Sequence, residues 1–471
     1  MNCKYKLLSP DSAAKTKDLL DGKNQEDGLR RIQALLSEWL RMENVVVLTA
    51  AGCSVGAGGR LMAGPPETNL ECLVLDAIAE CDLSEKAQKI INWKRSNNFG
   101  TGNFEDWLSY LFNASNLTEG EKSPIQAVGW HQETSDNPNS KPLILDKSKE
   151  EELKKLISRA IFAECGLEIS KAELTDESAT SSGHIPFLSK LISRDANLGR
   201  THLFTLNYDT LFEQALEELG IHYFDGFSGK TNSRFDPSVY GLDIYYPGDI
   251  AEGRVRRYDK FIQLYKLHGS LHWYVEEGGY KARHHDLSFT KDYRAASPQD
   301  KAEMLIRDEF KKIGQFGILP TSQKFTQTLD MPFSHLFRLF HARLSQPQTF
   351  LMVLGYGFGD DHITQIIETA LTNPSLIMLV VEPNPESAIT QRIAHYQALG
   401  QRAFVLTERL SEGESCSYTV ATFADFATTV MPDVKWLEDL KRLRKFEEQI
   451  RKVKDQELVS EGENQSPSIQ S

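Results

Sequence analysis

The sequence predicts an α/β fold, a doubly wound parallel sheet that carries a mainly helical insertion. Short apolar, β-branched runs recur along the chain and alternate with segments whose apolar residues repeat at helical spacing. Such alternation is typical of parallel sheets covered by helices. The length of 471 residues fits about three units of roughly 150 residues, or one large α/β domain with insertions. With 40% hydrophobic residues, the chain can bury a sizeable core.

The first elements lie in an N-terminal helical segment, residues 1–43, and directly after it. A helix is predicted over 25–43, because apolar residues recur there at helical spacing: Leu29, Ile32, Leu35, Leu36, Trp39 and Leu40. A buried parallel strand follows at 45–49, where the chain reads VVVLT. That strand runs into the small-residue turn 50–59, which reads AAGCSVGAGG.

A polar stretch interrupts this pattern in the middle of the chain. Residues 115–150 are rich in Asn, Ser, Pro and Lys, 148–165 has helical spacing, and 171–184 is polar again. We therefore expect a helical and loop insertion over 115–184. The main α/β domain is expected in the two parts of the chain that flank it: 44–114 and 185–430.

The alternation of strands and helices resumes in the second half. Strands are predicted for five apolar runs: 201–206, 261–267, 350–354, 376–381 and 404–407. Helices are predicted near three segments: 209–219, 333–345 and 361–372. The C-terminal segment, 431–471, is expected to hold an amphipathic helix over 432–458 and then a disordered tail. That helix either packs on its own domain or binds a partner.

Charge and cysteine content exclude several classes of protein. Lys and Arg total 53 against 66 Asp and Glu, and a net charge of −13 does not attract nucleic-acid phosphates. The six cysteines form no C-x-x-C pair and no zinc-ribbon spacing, which favours a reducing compartment. The N-terminus lacks the apolar region of a signal peptide, and no apolar run approaches about 18 residues. We expect a cytoplasmic protein that contacts no membrane and reads no nucleic-acid sequence directly.

The turn after the first buried strand is the first candidate ligand site. Glycines let backbone N–H groups approach a pyrophosphate, and this turn contains Gly52, Gly56, Gly58 and Gly59 beside the hydroxyl of Ser54. A purely structural tight turn is the alternative. The same turn matches G-x-S-x-G, the nucleophile elbow of α/β hydrolases. We disfavour a serine-dependent α/β hydrolase, because only about 44 residues precede the strand and no HGGG-type oxyanion segment lies upstream.

Polar residues also end two later strands. Asn207 and Asp209 follow one of them, and ligands of open parallel sheets bind at the carboxyl ends of strands. Helix capping is the alternative for these two residues. His268 follows the next predicted strand, and imidazole suits proton transfer near neutral pH. A metal pair of His268 with His272 lacks a nearby third ligand, so we expect no metal site.

A second glycine-rich turn, LGYGFGDDH at 354–362, follows the apolar run that ends at Leu354. It is expected to form a second wall of a nucleotide cleft. Glu382 ends the next apolar run, where a carboxylate can hydrogen-bond ribose hydroxyls. A solvated loop is the alternative for Glu382.

In this order, the motifs AAGCS, TLNYD, LHGS and GYGFGD resemble those of the sirtuin superfamily. More specifically, they are similar to the sirtuin-like domains of bacterial antiphage defence proteins. Those read G-A-G-C-S and then G-G-x-L-M, and this chain has Gly58-Gly59-Arg60-Leu61-Met62. The resemblance spans about residues 40–410. It departs from the family pattern at Ala50, in the replacement of G-T-S by Gly355-Tyr356-Gly357, and in lacking the four-cysteine zinc module of deacylase sirtuins.

The resemblance implies a Rossmann-like, NAD-binding catalytic domain. Its implied activity is that of an NAD+ glycohydrolase (NADase), a hydrolase that cleaves NAD+ to nicotinamide and ADP-ribose, with NAD as substrate and no metal. Asn207 would hold the ribose or the attacking water, and His268 would act as general base. Asp209 would contact the nicotinamide amide and Glu382 the adenosine ribose. The pyrophosphate would lie between two sets of residues: Ala51, Gly52, Cys53 and Ser54, and an opposite wall of Gly355, Tyr356 and Gly357.

The resemblance also implies a biological role and partners. The role is antiviral defence by abortive infection, in which NAD is depleted once a phage is sensed. The protein would form a homo-oligomer and, in some systems, act with a HerA-type ATPase or a short Argonaute. Two other functions stay open: an NAD-dependent protein deacylase, and a catalytically silent sensor of NAD or ADP-ribose that regulates a partner.

Overall fold

The computed structural model of the protein describes residues 2–11, 16–62, 66–67, 69–96, 104, 107–108, 147–170, 181–195, 197–251, 254–276, 279–283, 287–311, 331–411 and 413–433. Fifteen strands lie within these residues: β1 (Tyr5–Pro10), β2 (Thr16–Asp18), β3 (Asn44–Thr49), β4 (Thr201–Thr205), β5 (His222–Phe224), β6 (Phe227–Ser228), β7 (Arg234–Phe235), β8 (Tyr245–Ala251), β9 (Arg254–Arg257), β10 (Phe261–Lys266), β11 (Trp273–Glu276), β12 (Gly279–Ala282), β13 (Thr349–Leu354), β14 (Ile377–Val381) and β15 (Ala403–Glu408). Nine of them form one sheet, and the other six pair as β6–β7, β8–β9 and β11–β12.

Seven neighbouring strands of the main sheet run parallel, in the order β15-β14-β13-β3-β4-β10-β5. From β3 the chain builds one side of the sheet through β4 and β10, and it later builds the other side through β13, β14 and β15. The strand order therefore reverses between β3 and β13, and such a switch point opens a crevice at the carboxyl ends of the strands. The predicted α/β, Rossmann-like fold class is confirmed.

Thirteen α-helical segments lie in the described part of the chain: α1 (Gln25–Trp39), α2 (Leu70–Ala79), α3 (Glu85–Ser96), α4 (Lys147–Cys165), α5 (His184–Ile192), α6 (Leu211–Glu218), α7 (Ser288–Ala295), α8 (Pro298–Leu305), α9 (Asp308–Lys311), α10 (Phe333–Leu344), α11 (Asp361–Ala370), α12 (Ala388–Ala398) and α13 (Phe423–Asp425). None of these helices combines the length and the apolar character that a membrane crossing needs.

Helices cover both faces of the sheet, which explains why its central strands are buried along nearly their whole length. Successive residues of β3 alternate between two cores: Val45 and Val47 belong to one, and Val46 and Leu48 to the other. The first core also contains apolar residues of α1, α5, α6 and α13, and the second contains those of α10, α11 and α12. A strand that is buried on both faces needs no polar alternation.

A third apolar core joins six helices. It contains residues of α2, α3 and α4 together with residues of α7, α8 and α9. The helical part therefore draws on segments before, within and after the predicted insertion 115–184, because short amphipathic helices are stable only when they bury their apolar faces against each other. The domain boundaries themselves remain a prediction.

The strand predictions in the main domain agree with the structure, as do the predicted helices over 148–165, 209–219, 333–345 and 361–372. The N-terminal segment contains the predicted helix as α1, but its description as helical is incomplete, because β1 pairs antiparallel with β15 and β2 pairs antiparallel with β1. A period-two signal was present there, since Cys3, Tyr5 and Leu7 are buried in alternation with exposed or half-buried neighbours. The predicted C-terminal helix over 432–458, from residue 434 onward, and the tail after it lie outside the described residues.

Candidate active site

The four sequence motifs follow four consecutive strands of the sheet, β13, β3, β4 and β10. The last residues of these strands form one row across the sheet, in which Leu354 pairs with Thr49, Thr49 with Thr205, and Thr205 with Lys266. The four turns therefore leave the sheet at one level. Since parallel strands present their carboxyl ends at the same edge, this row is the floor of the candidate site.

The two glycine-rich turns are in direct contact. The amide of Gly52 donates to the carbonyl of Gly355 at 3.0 Å, and a Cβ added to Gly52 would lie 2.6 Å from the Cα of Gly355. Gly355 also has a φ of +62°, which favours glycine. The prediction that Gly355 stands on an opposite wall of the cleft is therefore corrected, because adjacent strands place both turns side by side.

The turn after β3 is tighter than the sequence suggests. The amides of Gly52, Cys53 and Ser54 donate to the carbonyls of Gly355, Ala50 and Ala51 respectively. The Cys53 side chain is fully buried, and its thiol donates to the Leu354 carbonyl at 3.3 Å. These three amides therefore already donate hydrogen bonds within the protein. Because the Cys53 side chain is buried, it offers no atom for the expected contact with a pyrophosphate.

The departure from the family pattern at Ala50 has a structural explanation. Ala50 has a φ of −144° and a ψ of −169°, which is extended backbone that any residue adopts. Its carbonyl accepts the amide of Cys53 at 2.8 Å and the side-chain amide of Asn207 at 3.0 Å. Glycine is therefore not required at this position.

A buried hydrogen-bond network joins the glycine turn to the polar motif after β4. Nδ2 of Asn207 donates to Oγ of Ser54 at 2.8 Å, and that hydroxyl donates to Oδ2 of Asp209 at 2.6 Å. All three side chains are less than 10% exposed. Because Asn207 also donates to Ala50, both of its amide hydrogens are committed. The remaining polar atom of its side chain is the acceptor oxygen Oδ1.

Asp209 also supports the helix that follows it. Its Oδ1 accepts the amide of Leu211 at 3.2 Å at the start of α6, although the N-cap residue of this helix is Thr210 and not Asp209. Its carbonyl accepts Nζ of Lys266, the buried lysine that ends β10, and Lys266 pairs with Glu213 at 3.1 Å. Burial raises the pKa of Glu213, which the lysine opposes. Sequence reasoning assigned Lys266 no role, although a lysine that ends an apolar strand was a usable signal.

His268 lies in the turn after β10 and is 3% exposed. Gly269, with a φ of +88°, follows it and turns the chain sharply. The ring of His268 lies 6.4 Å from the ring of Tyr208 and 6.5 Å from that of Phe337, measured between centroids. The imidazole therefore sits in an aromatic setting at the carboxyl edge of the sheet.

The second glycine-rich turn brings two further polar side chains to His268. The donor atoms of His268, Asp360 and His362 all lie within 4.8 Å of one another, a set that could hold a metal ion. His272, the partner considered from the sequence, does not belong to this group. Sequence reasoning missed the set because its members follow strands that are not neighbours in the sheet, β10 and β13.

Of the three remaining predicted residues, Tyr356 and Glu382 form hydrogen bonds within the protein, whereas Gly357 borders open space. The hydroxyl of Tyr356 donates to the Asp360 carbonyl at 3.0 Å, so this ring holds its own loop. A Cβ added to Gly357 would meet nothing within 4 Å. Glu382 follows β14, and its Oε1 accepts the amide of Asn384 at 3.0 Å. Burial raises the pKa of Glu382, which lies in a turn whose amide it already binds.

Ion pairs tie helix α4 to Arg60, which directly follows the glycine turn 50–59, and to Lys301 of α8. The fully buried carboxylate of Glu164 pairs with Arg60 at 3.1 Å and with Lys301 at 2.6 Å. Burial and the nearby charge of Asp209 raise the pKa of the Cys165 thiol to about 12, so it is protonated at neutral pH. Cys165 and Tyr208, which lies between Asn207 and Asp209, pack against the same small apolar cluster, so the helical part of the molecule borders the candidate site.

The geometry at Ser54 does not fit a hydrolase nucleophile. Its φ of −86° and ψ of −10° are ordinary helical values, whereas a nucleophile elbow is a strained turn. The hydroxyl donates to a carboxylate, not to a histidine. The structure thus agrees with the sequence analysis, which disfavours an α/β hydrolase with Ser54 as nucleophile.

Comparison with known proteins identifies a related domain. Residues 201–399 match the family model described as the SIR2-like domain. No curated protein matches the chain. The matched range contains Asn207, Asp209, His268 and the second glycine-rich turn, but not the turn after β3. This region therefore indicates an NAD-dependent enzyme of the sirtuin type, because SIR2-like domains use NAD as substrate.

Proposed function

We propose that this chain, whose residues 201–399 match the SIR2-like domain, is an NAD+ glycohydrolase that releases nicotinamide and ADP-ribose. One observation carries the proposal. Asn207 and His268 each lie two residues beyond a residue of the pair Thr205 and Lys266, which joins the adjacent strands β4 and β10. The two candidate catalytic side chains therefore leave the sheet at the same level and on neighbouring strands, beside the glycine junction.

The backbone at this edge supports binding of an extended dinucleotide. The Gly52–Gly355 contact holds the two turns close to each other and to the ends of their strands. The open space at Gly357 leaves room for a ligand beside the second turn. Ala51 and Gly52 are partly exposed there. Close approach of the pyrophosphate to these turns fits better than donation from the committed amides of Gly52, Cys53 and Ser54.

The bond that breaks joins the ribose C1′ to the nicotinamide ring nitrogen. The electron pair stays with that nitrogen, whose positive charge is thereby neutralised, and C1′ develops oxocarbenium character. The leaving group needs no proton, so the protein has to orient the ribose and deliver water. Oδ1 of Asn207 accepts a hydrogen bond from the ribose or from that water. The Ser54 hydroxyl and the Ala50 carbonyl fix the amide in this orientation.

The second step is the attack of water on C1′. The water oxygen bonds to C1′, and its proton passes to His268, which acts as general base and contributes about 10²–10⁴-fold. The aromatic rings of Tyr208 and Phe337 beside the imidazole limit the access of further water. Asp209 would contact the nicotinamide amide and Glu382 the adenosine ribose.

The test is product analysis with Asn207→Ala and His268→Ala. Purified protein is incubated with NAD, with and without an acetylated peptide, and products are separated by HPLC with mass detection. We expect nicotinamide and ADP-ribose without peptide, and at least about a hundredfold loss of rate in each variant. Asn197→Ala and His341→Ala are matched controls, because both residues are exposed and Asn197 precedes β4, at the opposite end of that strand from Asn207. Circular dichroism checks that the variants fold.

Other products would change the assignment. Acyl-ADP-ribose formed only with peptide would make the protein a deacylase. NAD binding without turnover in every oligomeric and partner-bound state would make it a sensor. Full activity of His268→Ala would contradict the mechanism.

We further propose the biological setting. The chain would act in the cytoplasm as a homo-oligomer, and NAD depletion would serve antiphage defence by abortive infection, with a HerA-type ATPase or a short Argonaute as partner. Expression in a bacterial host, followed by phage challenge, tests this. The expected result is a fall in NAD and in phage yield that His268→Ala abolishes, whereas unchanged NAD during infection would contradict it.

A further inference from the structure

We propose that His268, Asp360 and His362 form a binding site for a divalent transition-metal ion of the zinc class. We further infer that an ion bound there switches off the proposed NAD hydrolysis. The first statement stands on geometry alone, and the second rests on the proposed function. The donor atoms of the three side chains lie within 4.8 Å of one another.

Two turns of the backbone bring the ligands together. Asp360 and His362 follow β13, whereas His268 follows β10, and β3 and β4 lie between these strands. Gly355 and Phe358 have φ values of +62° and +55°, so the loop after β13 turns sharply at both positions. The Tyr356 hydroxyl donates to the Asp360 carbonyl at 3.0 Å and so fixes the loop at the residue that directly precedes α11.

Aromatic packing holds the two imidazoles. Phe337 of α10 lies 6.5 Å from the His268 ring and 5.0 Å from the His362 ring, with an edge-to-face angle of 80° to the latter. The two histidine rings are 5.8 Å apart. A ring wedged against both ligands restricts their rotation, so little rotational freedom remains to be lost on binding an ion.

The donor set selects the class of ion. Two imidazoles and one carboxylate are ligands that zinc binds at about 2.0–2.2 Å, and three protein ligands leave a fourth position for water. In a tetrahedral site neighbouring ligand atoms are about 3.4 Å apart, so side-chain shifts of roughly 1 Å complete the site. Hard ions such as magnesium prefer an all-oxygen set, which this cluster does not offer.

Metal binding would remove the proposed base. A neutral imidazole has a single acceptor nitrogen, and coordination of His268 uses its lone pair while the other nitrogen keeps its hydrogen. The ring then accepts no proton from water. A divalent cation at this position also raises the energy of a nearby ribose that develops positive charge. We therefore expect inhibition by zinc and not activation.

The binding test needs no NAD. Purified full-length protein is dialysed against Zn²⁺, and Co²⁺ is used as a spectroscopic probe. We expect one ion per chain, with the visible bands of a tetrahedral nitrogen and oxygen site and without a thiolate charge-transfer band. His362→Ala and Asp360→Asn should weaken binding at least about a hundredfold, because even outer-shell changes cost about 10–100-fold. His341→Ala, which alters an exposed histidine, should bind as the unmodified protein does.

The results separate the two proposals. Absent zinc binding, or equal binding by His362→Ala and Asp360→Asn, overturns the metal site even if NAD is hydrolysed. Binding that the two variants lose supports the site even if no NAD turnover is found. With turnover, zinc should lower the rate at least tenfold and EDTA should restore it, whereas the rate that His362→Ala retains should not respond. Stimulation by zinc would overturn the inhibitory role.

Discussion

At the scale of single residues, the hydroxyl of Ser54 connects two motifs that lie more than 150 positions apart. It accepts from Asn207 at 2.8 Å and donates to Asp209 at 2.6 Å. Buried networks of this kind specify one arrangement, because each member left without its partner costs the desolvation of a polar group. The network also determines which atom of Asn207 can bind a ligand. Both amide hydrogens already donate within the protein, so the side-chain oxygen is the atom that can accept a hydrogen bond from a ligand.

Lys266 gives a prediction at the same scale. Lys266→Met should lower the free energy of unfolding by about 3 kcal/mol, because it leaves the carboxylate of Glu213 buried without its cation and removes a donor to the Asp209 carbonyl. Urea unfolding measures the change. Adding Glu213→Gln to Lys266→Met should recover part of the loss. If Lys266→Met alone is as stable as the unmodified protein, the pair of Lys266 and Glu213 does not contribute to stability.

At the scale of elements, the contact between the two glycine turns sets how closely the ends of β3 and β13 approach. Gly355→Ala should lower the free energy of unfolding by at least about 2 kcal/mol, since its Cβ would lie 2.5 Å from the amide nitrogen of Cys53 at a positive φ. Gly357→Ala is the matched control for stability, because its Cβ meets nothing within 4 Å. Equal thermal midpoints for the two variants would contradict the close packing.

Helix α5 begins at His184, which gives a pH prediction. The ring lies 4.7 Å from Phe212 and 5.0 Å from Phe423, and burial lowers its pKa to about 3. An unfolded histidine has a pKa near 6.5, so between pH 6.5 and 3 the unfolded chain binds a proton at this residue that the folded chain does not bind. Stability should therefore fall as the pH drops through this window.

The size of the effect follows from the shift. Between pH 7 and pH 5 this histidine should cost about 2 kcal/mol of folding free energy. His184→Gln removes the titrating group, so its stability should decline less steeply over the same range in denaturant titrations. Parallel declines for the two proteins would show that the ring is protonated in the folded state.

At the scale of the whole molecule, the net charge of −13 governs encounters with other polymers. A single chain should show no mobility shift with duplex DNA at about 50 mM salt, because the surface repels phosphates over a Debye length of roughly 14 Å. Gel shift with random-sequence DNA is the measurement. A shift that disappears with added salt would reveal a local basic patch that the total charge hides.

Much of the main sheet could be predicted from local sequence pattern, whereas the elements that depend on pairing over long sequence distances could not. The buried strands β3, β4, β10, β13, β14 and β15 are apolar runs that need no partner to be recognised. By contrast, β1 pairs with β15 about 400 residues later, and its alternating, half-polar pattern carries a weaker signal than a continuous apolar run. The helices of the third core likewise come from distant segments that no local window relates.

The sequence by itself determined the fold class, the principal strands and the motifs at their ends, because periodicity and turn chemistry are local properties of the chain. Only the tertiary structure decided which side chains meet. It set Gly52 against Gly355, committed the hydrogens of Asn207, and brought Asp360 and His362 to His268 across two intervening strands. The physical reason is that strand order and loop path, which depend on packing over the whole sheet, fix distances between residues far apart in sequence.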